Sequence, residues 1–306
     1  MSGPERARLL FQARYLQIDP DGSAEILLSG GVDSATVLFA ALSLGFKPRC
    51  HTFFLADYVS KDLLVARSIA KLFHVELNEI PIPVDPTVFE RDVRHIIREM
   101  IDWRYHEDVR ATLVQTMHPF LYVLPEVHSG NLIMGSFGDH LSASARRASE
   151  ACHDRFARFQ TEIFRAPNRH NGDNTMEYER YCAQFDVRLH HFYLDRPIYE
   201  WASAIPLSRY NSPRQKGPVV DAFGDYWRRG KWYRRNGPYQ IVSRIRELHD
   251  KILKTEWNNR GYTKPIGCYR AIANYYGIEF GELAQTVFSS SRQCVAAEVP
   301  GVEIKA

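Results

Sequence analysis

The chain has 306 residues, 45% hydrophobic and 25% charged, the make-up of a soluble globular protein with room for one large core or two small ones. Its formal net charge of +3 is near neutral for this size, so the overall balance gives no argument for a polyanionic partner. Five scattered cysteines without a CxxC pair argue against a zinc knot or a disulfide framework, and no apolar run or signal-peptide core suggests a membrane, so the expected location is the cytoplasm.

In chain order, residues 5–17 predict a short helix, closed by the turn Asp19-Pro-Asp-Gly22. Strand and helix then alternate: strand 25–28, helix 34–44, strand 50–55, helix 61–73, strand 75–80 and helix 88–100. Residues 109–127 read as one further helix, although Pro119 and Pro125 should kink or end it. A fourth strand, 132–134, enters Gly135-Ser-Phe-Gly-Asp139. Beyond about residue 141 strand signals fade: 146–164, 177–188, 198–205 and 241–253 read as helices, with a polar loop over 166–175. The alternation implies an α/β fold, a parallel sheet with flanking helices, followed by a mainly helical C-terminal half. The division falls near residue 145, giving a nucleotide-binding layer (1–145) and a substrate-side half (146–306) with an extension after about 250.

The first strand leads into ILLSGGVDSATVLF (26–39). Gly30 and Gly31 permit a sharp turn and close approach of another group. Asp33 and Ser34 are N-cap types, followed by apolar residues at helical spacing. Such a turn aims backbone N–H groups and the positive end of a helix dipole at one spot, an anion site of the kind phosphate occupies. Ligands of parallel sheets bind beyond the carboxyl ends of the strands, so the 29–34 and 135–139 loops are expected to face one pocket. GxxxxGK[ST] is absent: the stretch 224–231 has one residue too many and Trp232 where Ser or Thr should stand. GxGxxG is absent as well.

SGGVDSAT resembles the pyrophosphate loop of the N-type ATP pyrophosphatases, which split ATP between its α and β phosphates and share an adenine nucleotide alpha hydrolase-like, Rossmann-like fold. Within that superfamily the chain is most similar to the synthetase domain of asparagine synthetases and β-lactam synthetases. The stretches 53–80, NLIMGSFGDHLSA (131–143), YLDRPIYEWASAIP (193–206), SPRQKGPVVDAF (212–223) and KWYRRNGPY (231–239) carry the likeness in order. The resemblance implies that Ser29, Gly30, Gly31, Asp33 and Ser34 hold the phosphates, with Leu28, Phe54 and Gly135 also lining the ATP site. It implies Mg²⁺ on Asp33 and Asp139, a pairing that suits a cation taking few protein oxygens plus substrate phosphates. The family's GDGADE is altered here: its first aspartate is Ser136 and its final glutamate His140, which offers itself as a general base in the glutamate's place.

Residues 209–246 hold ten Lys or Arg against Asp221 and Asp225. Cations there would stabilise the charge of departing pyrophosphate. The family's basic-loop lysine aligns on Arg235, with Lys231 close by and Lys216 a third candidate. Because Tyr226, Trp227, Trp232 and Tyr233 interleave with the cations, a nucleic-acid surface is the competing reading, though not the favoured one. The implied activity is an ATP-dependent amide-forming ligase that adenylates a carboxylate, releases pyrophosphate and transfers a nitrogen nucleophile with loss of AMP. The alternative is a relative that modifies a nucleobase in tRNA or DNA. A glutaminase domain with a cysteine nucleophile is not expected, since Ser2 follows Met1; the nitrogen would come as ammonia, from a separate glutaminase, or as a substrate amine.

Overall fold

The computed structural model describes residues 3–102, 111–138, 175–210, 214–230, 243–257, 269, 271–272 and 275–277. Contacts divide the chain into two compact units, one of residues 1–85 and 119–248, the other of 86–118 and 249–306. The boundary expected near residue 145 falls outside the described residues.

The first unit is built on a five-stranded, all-parallel sheet in the order β3-β2-β1-β4-β5, formed by β1 (Glu25–Leu27), β2 (Cys50–Leu55), β3 (Leu77–Ile82), β4 (Asn131–Met134) and β5 (Arg188–His191). The sheet grows one way from β1 to β3 and the other way from β1 to β5, so the order reverses between β1 and β4. In open α/β sheets that reversal is where two strand-end loops diverge and leave a crevice.

Helix α1 (Gly3–Ile18) precedes the sheet, and Asp19 closes the following turn by accepting from the backbone N–H groups of Ser23 and Ala24. Helix α2 (Val32–Ser43) packs on β1 and β4 and is also covered by α1. Every residue from Ser34 to Ala41 is buried, which is why this segment is apolar all round rather than along one stripe. Helix α3 (Lys61–Phe73) packs on β2 and β3, capped by the Ser60 hydroxyl accepting from Leu63 N–H at 3.0 Å. Residue 74, a histidine with φ 53, ends that helix in the left-handed region.

The helix expected over 109–127 is broken, as its prolines require. It becomes α5 (Ala111–Met117), α6 (Phe120–Val123) with Pro119 at its N-cap, and a 3₁₀ turn, Leu124–Glu126, with Pro125 near its start. The helix expected over 177–188 is present as α7 (Thr175–Ala183) but ends earlier, and it is followed by β5, a strand the sequence pattern did not predict. Helices α8 (Arg196–Ser203), α9 (Leu207–Tyr210), α10 (Gly217–Ala222) and α11 (Gly224–Gly230) follow. The expected helix 146–164 and loop 166–175 lie in or run into residues outside the described ones.

Phe11 of α1 joins the late helices to the sheet layer. Its ring lies 5.6 Å from Trp201, 5.9 Å from Tyr193, and 6.1 Å from both Phe192 and Phe223. Aromatic contacts of this kind add to the burial of each ring. They bring the segment after β5, and α10 behind it, back to the edge of the sheet where α2 begins.

The second unit contains α4 (Pro86–Asp102), α5 and the residues from His249 onward. Among the described residues no helix is long and apolar enough to cross a membrane.

Candidate functional site

The loop after β1 is held by two serines bonded to each other. Ser29 Oγ and Ser34 Oγ are 3.0 Å apart, Ser29 N–H donates to Ser34 Oγ at 3.1 Å, and Ser34 Oγ donates to Gly31 O at 3.3 Å. Leu28 is fully buried and extends the ladder by donating its N–H to His51 O at 2.8 Å. Gly30 has φ +76, and a Cβ there would lie 2.6 Å from Asp62 O, so this position accepts only glycine. The expected capping is corrected by the structure: Gly31 is the N-cap of α2, no side chain caps the helix, and Asp33 and Ser34 lie inside its first turn. As the second residue of the helix, Asp33 turns its carboxylate to Lys216 rather than to its own backbone.

The loop after β4 closes on that carboxylate. A Cβ at Gly135 would stand 2.6 Å from Asp33 C and from Ser34 N, and one at Gly138 only 2.3 Å from Asp33 Oδ1. Two glycines three residues apart thus clear the space that Asp33 fills, and the 29–34 and 135–138 loops do face each other. Asp139 and His140 lie outside the described residues.

Lys216 reaches the same spot from a third direction. It is buried, sits at the N-cap of α10 in the left-handed region (φ 56), and places Nζ 2.5 Å from Asp33 Oδ2. A non-glycine residue held at positive φ stores strain that the surroundings must offset. Tyr193, just after β5, donates its hydroxyl to Asp33 O at 3.5 Å. Tyr210 is 1% exposed, and its hydroxyl has no hydrogen-bond partner among the described residues. Burial first, and then the charge of Asp33, raises the pKa of that phenol, so it stays protonated and able to donate.

Next to this group, Ser136 Oγ is 2.5 Å from Nδ1 of His191, the last residue of β5. Asp62, in the first turn of α3 below Gly30, has its carboxyl pushed up to about 6 by burial. Phe54 lies toward the carboxyl end of β2, half-buried and in register with Pro81.

Of the basic segment, the structure brings Lys216 into the site. Arg214 pairs with Asp221, while the Arg229 guanidinium lies 5.4 Å from the Phe73 ring centre and that of Arg244 4.1 Å from the Tyr58 ring centre. Lys231 and Arg235 lie outside the described residues. Two of the interleaved aromatics are used internally: Trp227 is buried, and Tyr226 stacks on Phe39 at 5.1 Å.

His191, Tyr193 and Tyr210 are site residues that the motif reading missed. Tyr193 opens the 193–206 stretch singled out above, so a signal existed for it. Nothing in the spacing marks His191 or Tyr210. No protein-family model matches the chain, and no curated protein matches it.

Proposed function

We propose that the chain binds ATP in the β1/β4 crevice and uses it to activate a carboxylate for amide formation, with AMP and pyrophosphate as products. The observation that carries this reading is the convergence on Asp33 of Gly135, Gly138 and Lys216, in front of a helix N-terminus that no side chain caps. An uncapped helix start attracts phosphate oxygens through its N–H groups and dipole.

Among the described residues no group of three or more His, Cys, Asp or Glu is placed to hold a metal, so Mg²⁺ would rest on Asp33 together with substrate phosphates and water, a shell that ion accepts. When bound, Mg²⁺ would neutralise phosphate charge beside Asp33. The chain's own part is to seat the polyphosphate on the first turn of α2 and keep Asp33 in place between two glycines. Lys216 is a fixed cation near the departing pyrophosphate, where charge accumulates as the bond between the α-phosphorus and the bridging oxygen breaks. The carboxylate oxygen takes that phosphorus, and the acyl group of the resulting adenylate is then passed on to a nitrogen nucleophile with loss of AMP.

The test is product analysis. The protein is incubated with ATP, MgCl₂, ammonium and a pool of small carboxylates, and the spent nucleotide is separated by chromatography. AMP and pyrophosphate are expected, lost in Asp33→Asn and on chelation by EDTA. ADP as the main product would remove this reading. AMP formed only when RNA or DNA is added would move the substrate to a nucleobase.

A further inference from the structure

Ser136 lies between Gly135 and Gly138, on the turn that leaves β4. The next residue, Phe137, has φ 72, a conformation that costs a bulky side chain free energy. A strained turn at the carboxyl end of a central strand turns the side chain beside it away from the strand, here toward His191. Here that side chain is a hydroxyl.

The imidazole facing it is held on several sides. His191 pairs in register with Met134 of β4, its carbonyl accepts from Arg14 at 3.2 Å, and the following Phe192 is held to Met134 O at 3.1 Å and to Arg14 at 3.1 Å. Phe137 meets the ring edge-on at 5.2 Å, and Glu179 Oε1 lies 3.8 Å from Nε2. With the serine proton donated to Nδ1, the neutral ring carries its own proton on Nε2, toward Glu179. A hydroxyl, a ring nitrogen within hydrogen-bonding reach and a carboxylate behind the ring are the parts of an activated nucleophile.

We propose that Ser136 is a nucleophile activated by His191, and that it takes the acyl group from the adenylate before the nitrogen does. This rests on the adenylating reading above. In the step, a bond forms between Ser136 Oγ and the acyl carbon while the bond from that carbon to the AMP oxygen breaks. The hydroxyl proton passes to His191 Nδ1, and AMP leaves with its electron pair. The nitrogen nucleophile then attacks the seryl ester, Ser136 Oγ leaves and recovers a proton from His191, and the surplus proton of the nitrogen goes to the ring. Glu179, 3.8 Å from Nε2, is too far for a hydrogen bond and acts on the ring through its charge.

The experiment uses the full chain and a fluorophosphonate, which forms an Oγ–P bond with loss of fluoride only at an activated hydroxyl. Peptide mass spectrometry should find the label on Ser136, and Ser136→Ala should abolish it. The labelling rate should rise with pH through one imidazole-range inflection, and His191→Gln should slow it by about a hundredfold or more. Ser136→Cys, which leaves the His191 ring in place, is run beside it. Its thiol should be alkylated by iodoacetamide at pH 6, where an ordinary cysteine is nearly inert. Absence of label on Ser136 together with an ordinary thiol profile overturns the proposal, as does labelling that is indifferent to His191 in a folded variant. Calorimetric ATP binding separates the two readings. His191-dependent labelling without ATP binding removes the ligase but keeps the nucleophile, and AMP formation without labelling does the reverse.

Discussion

Lys216 and Asp33 are 183 positions apart in the chain, yet the ammonium of one lies 2.5 Å from the carboxylate of the other. The lysine side chain is 8% exposed and the aspartate 19%, so the pair is only partly screened by water. A strained backbone that delivers a buried cation to one carboxylate is arranged for that position rather than for helix stability.

Replacing Lys216 by Asn, which tolerates the left-handed backbone, should therefore leave the fold in place and remove the charge. The expected result is a fall of about a hundredfold or more in the rate of AMP formation, in line with loss of one preorganised contact. The KM for ATP should change much less, because a contact that strengthens in the transition state appears in kcat. Equal losses in both would mean that Lys216 binds the ground state.

Gly138→Ala should displace the Asp33 carboxylate, since the new methyl would sit 2.3 Å from Oδ1. Forced overpacking costs about 1–3 kcal/mol. Gly135→Ala presses instead on the backbone of Asp33 and Ser34, which yields less readily, so it should lower the melting temperature more. Nucleotide affinity measured by calorimetry should fall in both. A Gly138→Ala protein that melts and binds as wild type would show that the two loops do not meet as described.

Stability should decline in mild acid. Burial lowers the pKa of His51 below 6.5 despite the opposing Glu25, lowers that of His190 to about 4 with help from Arg188 and Arg14, and drives that of His249 well down. These rings are neutral in the fold and charged in the unfolded chain below the ordinary histidine value. The unfolded state then binds more protons, and stability falls as pH drops through 6.5. Asp62, raised by burial to about 6, pulls the other way below that pH, as does Glu179, also raised by burial, but these are two groups against three. For fully buried His249 the loss is about 1.4 kcal/mol per pH unit. Urea unfolding between pH 8 and pH 5 measures this, and His249→Gln should flatten the slope by one proton. Equal stability at both ends would contradict it.

In the second unit a directional chain of hydrogen bonds runs through the core. Tyr269 OH lies 2.7 Å from His249 Nδ1, His249 Nε2 3.0 Å from His118 Nδ1, and His118 Nε2 3.3 Å from Asp92 Oδ2, all between buried side chains; because the carboxylate can only accept, neutral rings would relay donation from Tyr269 toward Asp92. Tyr269→Phe removes the first donor and leaves a buried ring nitrogen without it. The expected cost is about 1–3 kcal/mol in denaturant unfolding, with AMP formation unaffected. A neutral effect would indicate that water fills the place of the hydroxyl.

Parts of this protein are legible in its sequence because they depend on local period and turn chemistry. The segments Cys50–Leu55 and Lys61–Phe73 fall where the pattern places them, since apolar spacing and a serine cap are local facts. The SGGVDS loop announces a helix start at a strand end for the same reason. The strand β5 escaped notice because Arg188-Leu-His-His191 has a single aliphatic residue and none that is β-branched. It is a strand because β4 offers it a parallel partner, which tertiary context alone can supply.

What the sequence determined by itself was the parallel α/β layer and the position of a helix start at the end of its first strand. The tertiary structure decided what closes on that start: Lys216 at Asp33, the glycines 135 and 138 against it, Tyr210 beneath its charge, and His191 on Ser136. The physical reason is that each of these contacts joins residues of no fixed separation. Hydrophobic periodicity reports which face of an element is buried, but not which distant polar group will be buried against it. That pairing depends on the strand order and on the aromatic packing of Phe11, which carry the late helices back to the crevice.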